Sequence, residues 1–311
     1  MYGVAVEATS GPDFVAQVEQ AEAAGVQALW STMGAAGAAD MMPVYAVALA
    51  QTRKILLGSA ILHTWSRQPV VFAEEAMAVE QFGPGRFRLG IGPSTQFFVE
   101  RMYGQPYTKP LTQLREYLHC VRTLLREGKV QFEGEHVSLR WRVGTNPTLP
   151  VMASALRPKS YELCGELADG AISWMSPLAY LKATALPALQ AGAAAAKRET
   201  PPLVAHVPIA VTTNREASRA MAREQLGMYA QVPNYQGMFA TAGYDVSDGY
   251  GDDLLDDLVV SGTEDEVAAG LRRWIEAGVS EVIAYPLFSE DRAASTKAAF
   301  AAVARAASGK E

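Results

Sequence analysis

Two short stretches concentrate residue types able to build a binding site. The first, RFRLGIGPS (residues 86–94), ends an apolar run in Gly90, Gly92, Pro93 and Ser94. Glycine gives up its side chain, so backbone there can approach a ligand closely, and Ser94 adds a hydrogen-bonding hydroxyl. The second, SALRPKS (residues 154–160), follows another apolar run and opens a helical pattern carrying Arg157 and Lys159. A helix start turns backbone N–H groups toward an anion, and basic side chains add to that pull. A plain loop with two solvated basic residues fits the same letters equally well.

Other candidates are spread along the chain. Glu7 could act as an acid or base, or be a structural carboxylate paired with a basic neighbour. His63 could line a pocket, or be a surface or satisfied core histidine. Trp30, Trp65 and Trp174 offer flat apolar walls. His119 and His136 read as ordinary. The four histidines, 63, 119, 136 and 206, lack ligand-like spacing, and no HExxH, paired CxxC or EF-hand loop occurs, so no protein-held metal is expected. The paired carboxylates of a glycosidase and the GxSxG elbow of a serine hydrolase are missing too. Such a set suits a flat ligand with a phosphate and leaves the chemistry to a cofactor.

The elements that must position these residues alternate regularly. Apolar, β-branched runs fall at residues 2–7, 26–30, 54–62, 86–92, 150–155, 169–175, 203–211 and 279–286, and helical patterns follow the first seven and leave the last open. Gly25 closes the first helix, Pro69 starts the third, and Thr263 with Glu266 forms a capping box. Eight strands in an α/β alternation predict a (β/α)8 TIM barrel as one domain over residues 1–311. Insertions follow strands 4 (95–110) and 7 (234–253), and KVQFEGEHVSLR forms an appended hairpin. An open doubly wound sheet would want a glycine fingerprint after strand 1, and VEATSGPD is not one. In a barrel the site lies at the C-terminal strand ends, where every candidate above falls.

The chain has 33 acidic and 27 basic residues, a net charge of -6, with 49% hydrophobic composition. That balance gives no pull toward nucleic acid or an anionic membrane. No apolar run approaches the ~20 residues needed to cross a bilayer, and the first residues read directly as a strand. Cys120 and Cys164 read as small buried hydrophobes, so a reducing cytoplasm is the expected setting.

Four segments together, KILLGSAILHTWSRQP, EQFGPGRFRLGIGPS, VMASALRPKSYELCGELADGAISWM and VSGTEDEVAAGLRRWIEAGVSEVIA, resemble the luciferase-like (β/α)8 superfamily. The closer resemblance is to its oxidoreductases that use the deazaflavin coenzyme F420. It implies a non-prolyl cis peptide at Ala60–Ile61, in a bulge of strand 3 that backs the deazaflavin ring. It implies cofactor contacts at His63, Pro93 and Ser94, and a phosphate loop at Leu156, Arg157, Lys159 and Ser160. The family usually has Gly where this chain has Arg157. A sugar-phosphate dehydrogenase of this branch carries an Asp-His pair after strand 2 and a Glu after strand 4. Thr32-Met33 and Thr95 stand there instead, which speaks against that substrate. What is implied is a reductase passing a hydride between F420 and a small organic substrate with a C=O, C=N or activated C=C bond. Glu7 and His63 are the candidate catalytic groups, and Trp30, Trp65 and Trp174 the substrate walls; the family expectation is a homodimer. An FMN-dependent monooxygenase is the alternative enzyme, and a non-catalytic cofactor-binding protein the alternative of another class.

Overall fold

The computed structural model describes residues 1–37, 39–144 and 148–309. Eight parallel strands form its centre: β1 (Tyr2–Ala5), β2 (Ala28–Ser31), β3 (Leu56–Ser59, resuming at Leu62–His63), β4 (Phe87–Gly92), β5 (Val151–Ser154), β6 (Ala171–Ser173), β7 (Leu203–Val211) and β8 (Glu281–Pro286). Each pairs with the next in sequence, and β8 returns to β1 through Gly3 opposite Ile283, so the sheet closes into an α/β barrel of the kind expected. Helices take up the outer positions where local chemistry starts them. Ser10 Oγ accepts from Asp13 N, and Pro69 and Pro158 open their helices. Thr263 and Glu266 cap one another reciprocally.

The appended hairpin pairs Lys129–Glu133 with Ser138–Arg142. Some elements escaped the sequence reading. Val260–Gly262 is a short strand alongside the end of β7, where the end of a short helix was expected, and helices Pro233–Ala242 and Arg292–Ser308 form in the second insertion and after β8.

Two apolar clusters hold the barrel. The larger lies between strands and helices. The smaller fills the barrel itself with Ala5, Ala28, Trp30, Ala60, Met152, Ile172, Val204 and Ile283. Trp30 dominates that interior. A Cβ at Gly58 would collide with its ring, so glycine on β3 makes room for the indole. Beside it, Glu281 Oε1 accepts from Trp30 Nε1 at 2.8 Å, and Glu281 Oε2 pairs with Arg88 at 2.5 Å. An ion pair between β4 and β8 thus spans the barrel near the start of its strands. The expectation that Trp30 walls a substrate cleft is therefore corrected. Its ring turns into the core, 1% exposed, because Glu281 satisfies the indole N–H there.

Candidate functional site

The third strand is interrupted just below the rim. Between the pairs Gly58–Arg88 and Leu62–Ile91, β3 takes four steps and β4 three, so one extra residue bulges out. Within that bulge the Ala60–Ile61 peptide is cis. Ala60 N donates to Ser31 O at 2.8 Å, and Met33 N donates to Ile61 O at 3.3 Å, tying the bulge to the end of β2. Ile61 packs on the inner cluster from the β3 side and Tyr285 from the β8 side.

The glycines of RFRLGIGPS serve this bulge rather than a ligand. A Cβ at Gly90 would strike the Ser59 carbonyl oxygen. One at Gly92 would meet Ser154 Oγ and Ile61 Cδ1. Ser59 Oγ adds bonds of 2.8 Å to both Gly90 O and Gly90 N. Their missing side chains let three strands crowd together. At the end of this run, Ser94 has φ +59°, and its carbonyl accepts from Tyr107 Oη at 2.9 Å. Pro93 and Ser94 are both partly buried beneath the insertion.

Past the bulge, His63 lies partly buried with Nδ1 3.0 Å from Tyr103 Oη. Burial lowers its pKa to about 4, so the ring is neutral at neutral pH. Trp65 follows, tilted on Tyr107 and edge-to-face with His136 at ring distances of 6.0 and 6.1 Å. Trp65 Nε1 and His136 Nε2 are buried without hydrogen-bond partners among the described residues. His136, read as ordinary, is thus brought in by the hairpin, whose turn Glu116 holds by accepting from three backbone N–H groups.

An aromatic group from β6 to β8 stands on the opposite arc of the rim. Trp174 packs edge-on against His206, Tyr285 and Tyr229 at 4.8, 4.9 and 5.7 Å, and Tyr229 against Tyr235 at 4.8 Å. Trp174 Nε1 is buried without a hydrogen bond of ordinary geometry, and the indole offsets part of the burial that raises the Tyr229 pKa. Glu7 joins this side. Tyr285 Oη donates to Glu7 Oε1 at 2.7 Å and Arg292 donates to Glu7 Oε2 at 2.8 Å, with the Glu7 side chain 43% exposed. Glu7 is a paired carboxylate, exposed rather than buried. Burial, reinforced by Glu7, raises the Tyr285 pKa. Tyr103, Tyr107, Tyr229 and Tyr235 were not singled out from sequence as site residues, although the Tyr-rich insertions were a signal for Tyr103, Tyr107 and Tyr235; the position of Tyr285 at the end of the last strand was the signal for that residue.

The loop after β5 is folded tightly on itself. Ser160 Oγ accepts from Leu156 N at 2.9 Å and Arg157 N at 3.1 Å, and donates to Arg157 O at 2.7 Å. Leu156 O accepts from Tyr180 Oη at 2.8 Å. The N–H groups expected to face an anion are therefore partly taken. Of the two cations, Lys159 is bound to Glu162 at 2.7 Å. Arg157 is exposed, lies against Gly237 of the insertion, and has no acidic partner among the described residues.

Elsewhere, a cavity of ≈ 430 Å³ opens beyond β7 and β8, lined by Ile209, Met221, Phe288 and others. None of the residues singled out from sequence lines it. Cys120 and Cys164 are buried, and burial pushes both thiols up to about 12. No group of three or more His, Cys, Asp or Glu suited to a metal occurs among the described residues, and no helix among them is long and apolar enough to cross a membrane.

Comparison with known proteins adds to this geometry. Over residues 3–281 the chain matches the profile of a family described as luciferase-like monooxygenase. A Mycobacterium tuberculosis protein named, provisionally, as a coenzyme F420-dependent oxidoreductase is 27% identical over 278 residues, covering 75% of this chain and 79% of that one. Among solved structures, the coenzyme F420-dependent tetrahydromethanopterin reductase of Methanopyrus kandleri gives a TM-score of 0.78 at 20% identity, over 98% of this chain and 97% of that one. The FMN-bound oxygenating constituent of 3,6-diketocamphane monooxygenase from Pseudomonas putida gives 0.74 at 16% identity, over 99% and 98%.

Proposed function

This chain belongs to the luciferase-like monooxygenase family of enzymes, and from that premise we propose that it is an F420-dependent oxidoreductase. It works mainly as a reductase on a small organic molecule with a C=O, C=N or activated C=C bond. The observation that carries the reading is the β3 bulge, tied by backbone hydrogen bonds to the end of β2, which presents Ile61 against the inner apolar cluster of the barrel. Ala60 and Ile61 would back a deazaflavin ring, with His63, Pro93 and Ser94 beside it. Leu156, Arg157, Lys159 and Ser160 would take its phosphate tail, and the unpaired Arg157 guanidinium is a donor set suited to a phosphate. Trp65 and Trp174, on facing arcs, would bound the substrate.

When bound, F420 supplies or accepts a hydride. The protein's own part is alignment and exclusion of water. Hydride transfer between stacked partners depends on alignment above all. That suits a rim where His63 is neutral and Glu7 is held by Tyr285 and Arg292. The enzyme is proposed to act as a cytoplasmic homodimer of one domain. In support, Val47, Val71 and Phe82 stand exposed on the neighbouring helices Met41–Gln51 and Pro69–Phe82.

Titrating the protein with F420 and with FMN separately, by fluorescence quenching, tests the cofactor. Micromolar F420 binding is expected. Binding of FMN alone would favour a monooxygenase, the second reading, which draws support from the likeness to the FMN-bound enzyme. Oxidation of reduced F420 by any member of a panel of ketones, imines and enones would exclude a purely cofactor-binding role.

A further inference from the structure

Tyr103 belongs to the insertion after β4, and its own part in the site is not yet accounted for. Its hydroxyl lies 3.0 Å from His63 Nδ1 and 3.3 Å from Met33 Sδ. A tyrosine hydroxyl has one proton to donate, and these two acceptors compete for it. An imidazole nitrogen lone pair is a far better acceptor than a thioether sulfur. Oη and Nδ1 lie within hydrogen-bond distance whichever of them donates, and donation from Oη to Nδ1 puts the phenol's one proton on its better acceptor. A neutral imidazole that accepts at Nδ1 must carry its own hydrogen at Nε2.

Both rings are in the required protonation state. Burial keeps His63 neutral, and burial raises the Tyr103 pKa against the opposing pull of Arg67, so the phenol stays protonated. The arrangement is braced. The His63 ring stands perpendicular to the Tyr103 ring with centroids 6.0 Å apart. The His63 carbonyl accepts from Ser66 N at 3.2 Å and Ser66 Oγ at 2.7 Å. Among the described residues His63 Nε2 has no hydrogen-bond partner, nor is it among the buried unsatisfied atoms, so it reaches solvent at the rim.

We infer that Tyr103 is a positioning residue that holds His63 as its Nε2–H form, so that a neutral imidazole at the end of β3 offers a hydrogen bond to the substrate atom that gains negative charge. A neutral donor of this kind stabilises developing charge without forming an ion pair in the ground state. The inference rests on the proposed reductase reading for the identity of that atom, but the tautomer itself does not depend on any cofactor.

The test begins on the ligand-free protein with 15N-labelled histidine and long-range proton–nitrogen correlation spectra. Disappearance of one ring system in His63→Gln assigns His63 among the four histidines. Wild type should show a pyrrole-type Nε2 and a pyridine-type Nδ1. Tyr103→Phe should mix the two tautomers, whereas Met33→Leu should leave the wild-type tautomer in place. Unchanged circular dichroism and Tm show that Tyr103→Phe is folded. A protonated Nδ1 in wild type, or no change in Tyr103→Phe, overturns the inference.

In the second arm, Tyr103→Phe should lower kcat for the reductase reaction about tenfold, equivalent to about 1.4 kcal/mol, with the F420 Kd unchanged. A raised Kd with unchanged kcat would place the donor on the cofactor and overturn the assignment to substrate. If wild type fails to bind F420, the cofactor reading falls, while the nitrogen spectra still decide the tautomer.

Discussion

At the end of β5 two cations sit two residues apart with different freedom. Lys159 is occupied by Glu162, while Arg157 faces Gly237 without an acidic partner among the described residues. Arg157→Ala is therefore expected to weaken F420 binding about tenfold, a loss of about 1.4 kcal/mol, and Lys159→Ala to weaken it about twofold or less. Fluorescence titration of the two variants checks this, and the reverse ranking would count against a phosphate site here. His206 acts on stability instead. Its Nδ1 donates to the Ser173 carbonyl at 2.9 Å, and burial lowers its pKa to about 4. The unfolded chain has the ordinary value of about 6.5, so between these limits the unfolded state binds more protons. Stability is full above about pH 6.5 and is lost as pH falls to about 4. Urea unfolding across that range should register a decline to which His63 also contributes, with His206→Gln removing roughly 2–3 kcal/mol of it, and a flat wild-type profile would contradict it. Residue types were legible in sequence, but side-chain direction was not. Trp30 sits near a strand end as expected, yet its ring turns inward to a carboxylate that the sequence places 251 residues away.

Among the elements, β3 and β4 depend on one another through small residues. Gly90→Ala would drive a methyl group into the Ser59 carbonyl oxygen, a backbone atom with no way to yield. That variant is expected not to accumulate as folded protein, judged by soluble yield and circular dichroism. Gly92→Ala meets Ser154 Oγ and Ile61 Cδ1, side-chain atoms that can shift. It should fold with a loss of about 1–3 kcal/mol, partly recovered in the double variant with Ser154→Ala, and should weaken cofactor binding by moving Ile61. Equal behaviour of the two glycine variants would argue against this account. All eight strands were legible because short apolar runs alternate with capped, amphipathic helices. The bulge was not, since an extra residue exists only relative to a partner strand. Family resemblance, not residue pattern, pointed to Ala60–Ile61. Tyr103, Tyr107 and Tyr235 in the insertions, and Tyr229 just before the second, stayed hidden for a related reason: short helical turns and loops carry too little periodicity for contacts to be read.

For the molecule as a whole, closure of the sheet and the ion pair inside it are coupled. Arg88 and Glu281 are 193 residues apart, on strands that only ring closure brings face to face. No local pattern marks them as partners. Glu281→Gln leaves Arg88 without its charge partner and Trp30 with a weaker acceptor, and is expected to cost about 3 kcal/mol in urea unfolding; a loss under a tenth of that would mean the pair is incidental. The proposed dimer is checked by sedimentation velocity. Wild type should run as a dimer and Phe82→Glu should shift toward monomer, and a monomeric wild type would remove the assembly.

The plug formed by Trp30, Arg88 and Glu281 also governs traffic. A barrel stoppered at its base has one door, and everything that enters must leave through it. Whatever binds first lies deepest and departs last. For a two-ligand reaction this imposes a queue, visible as compulsory order in product-inhibition patterns, with the deep ligand alone competing with its own product.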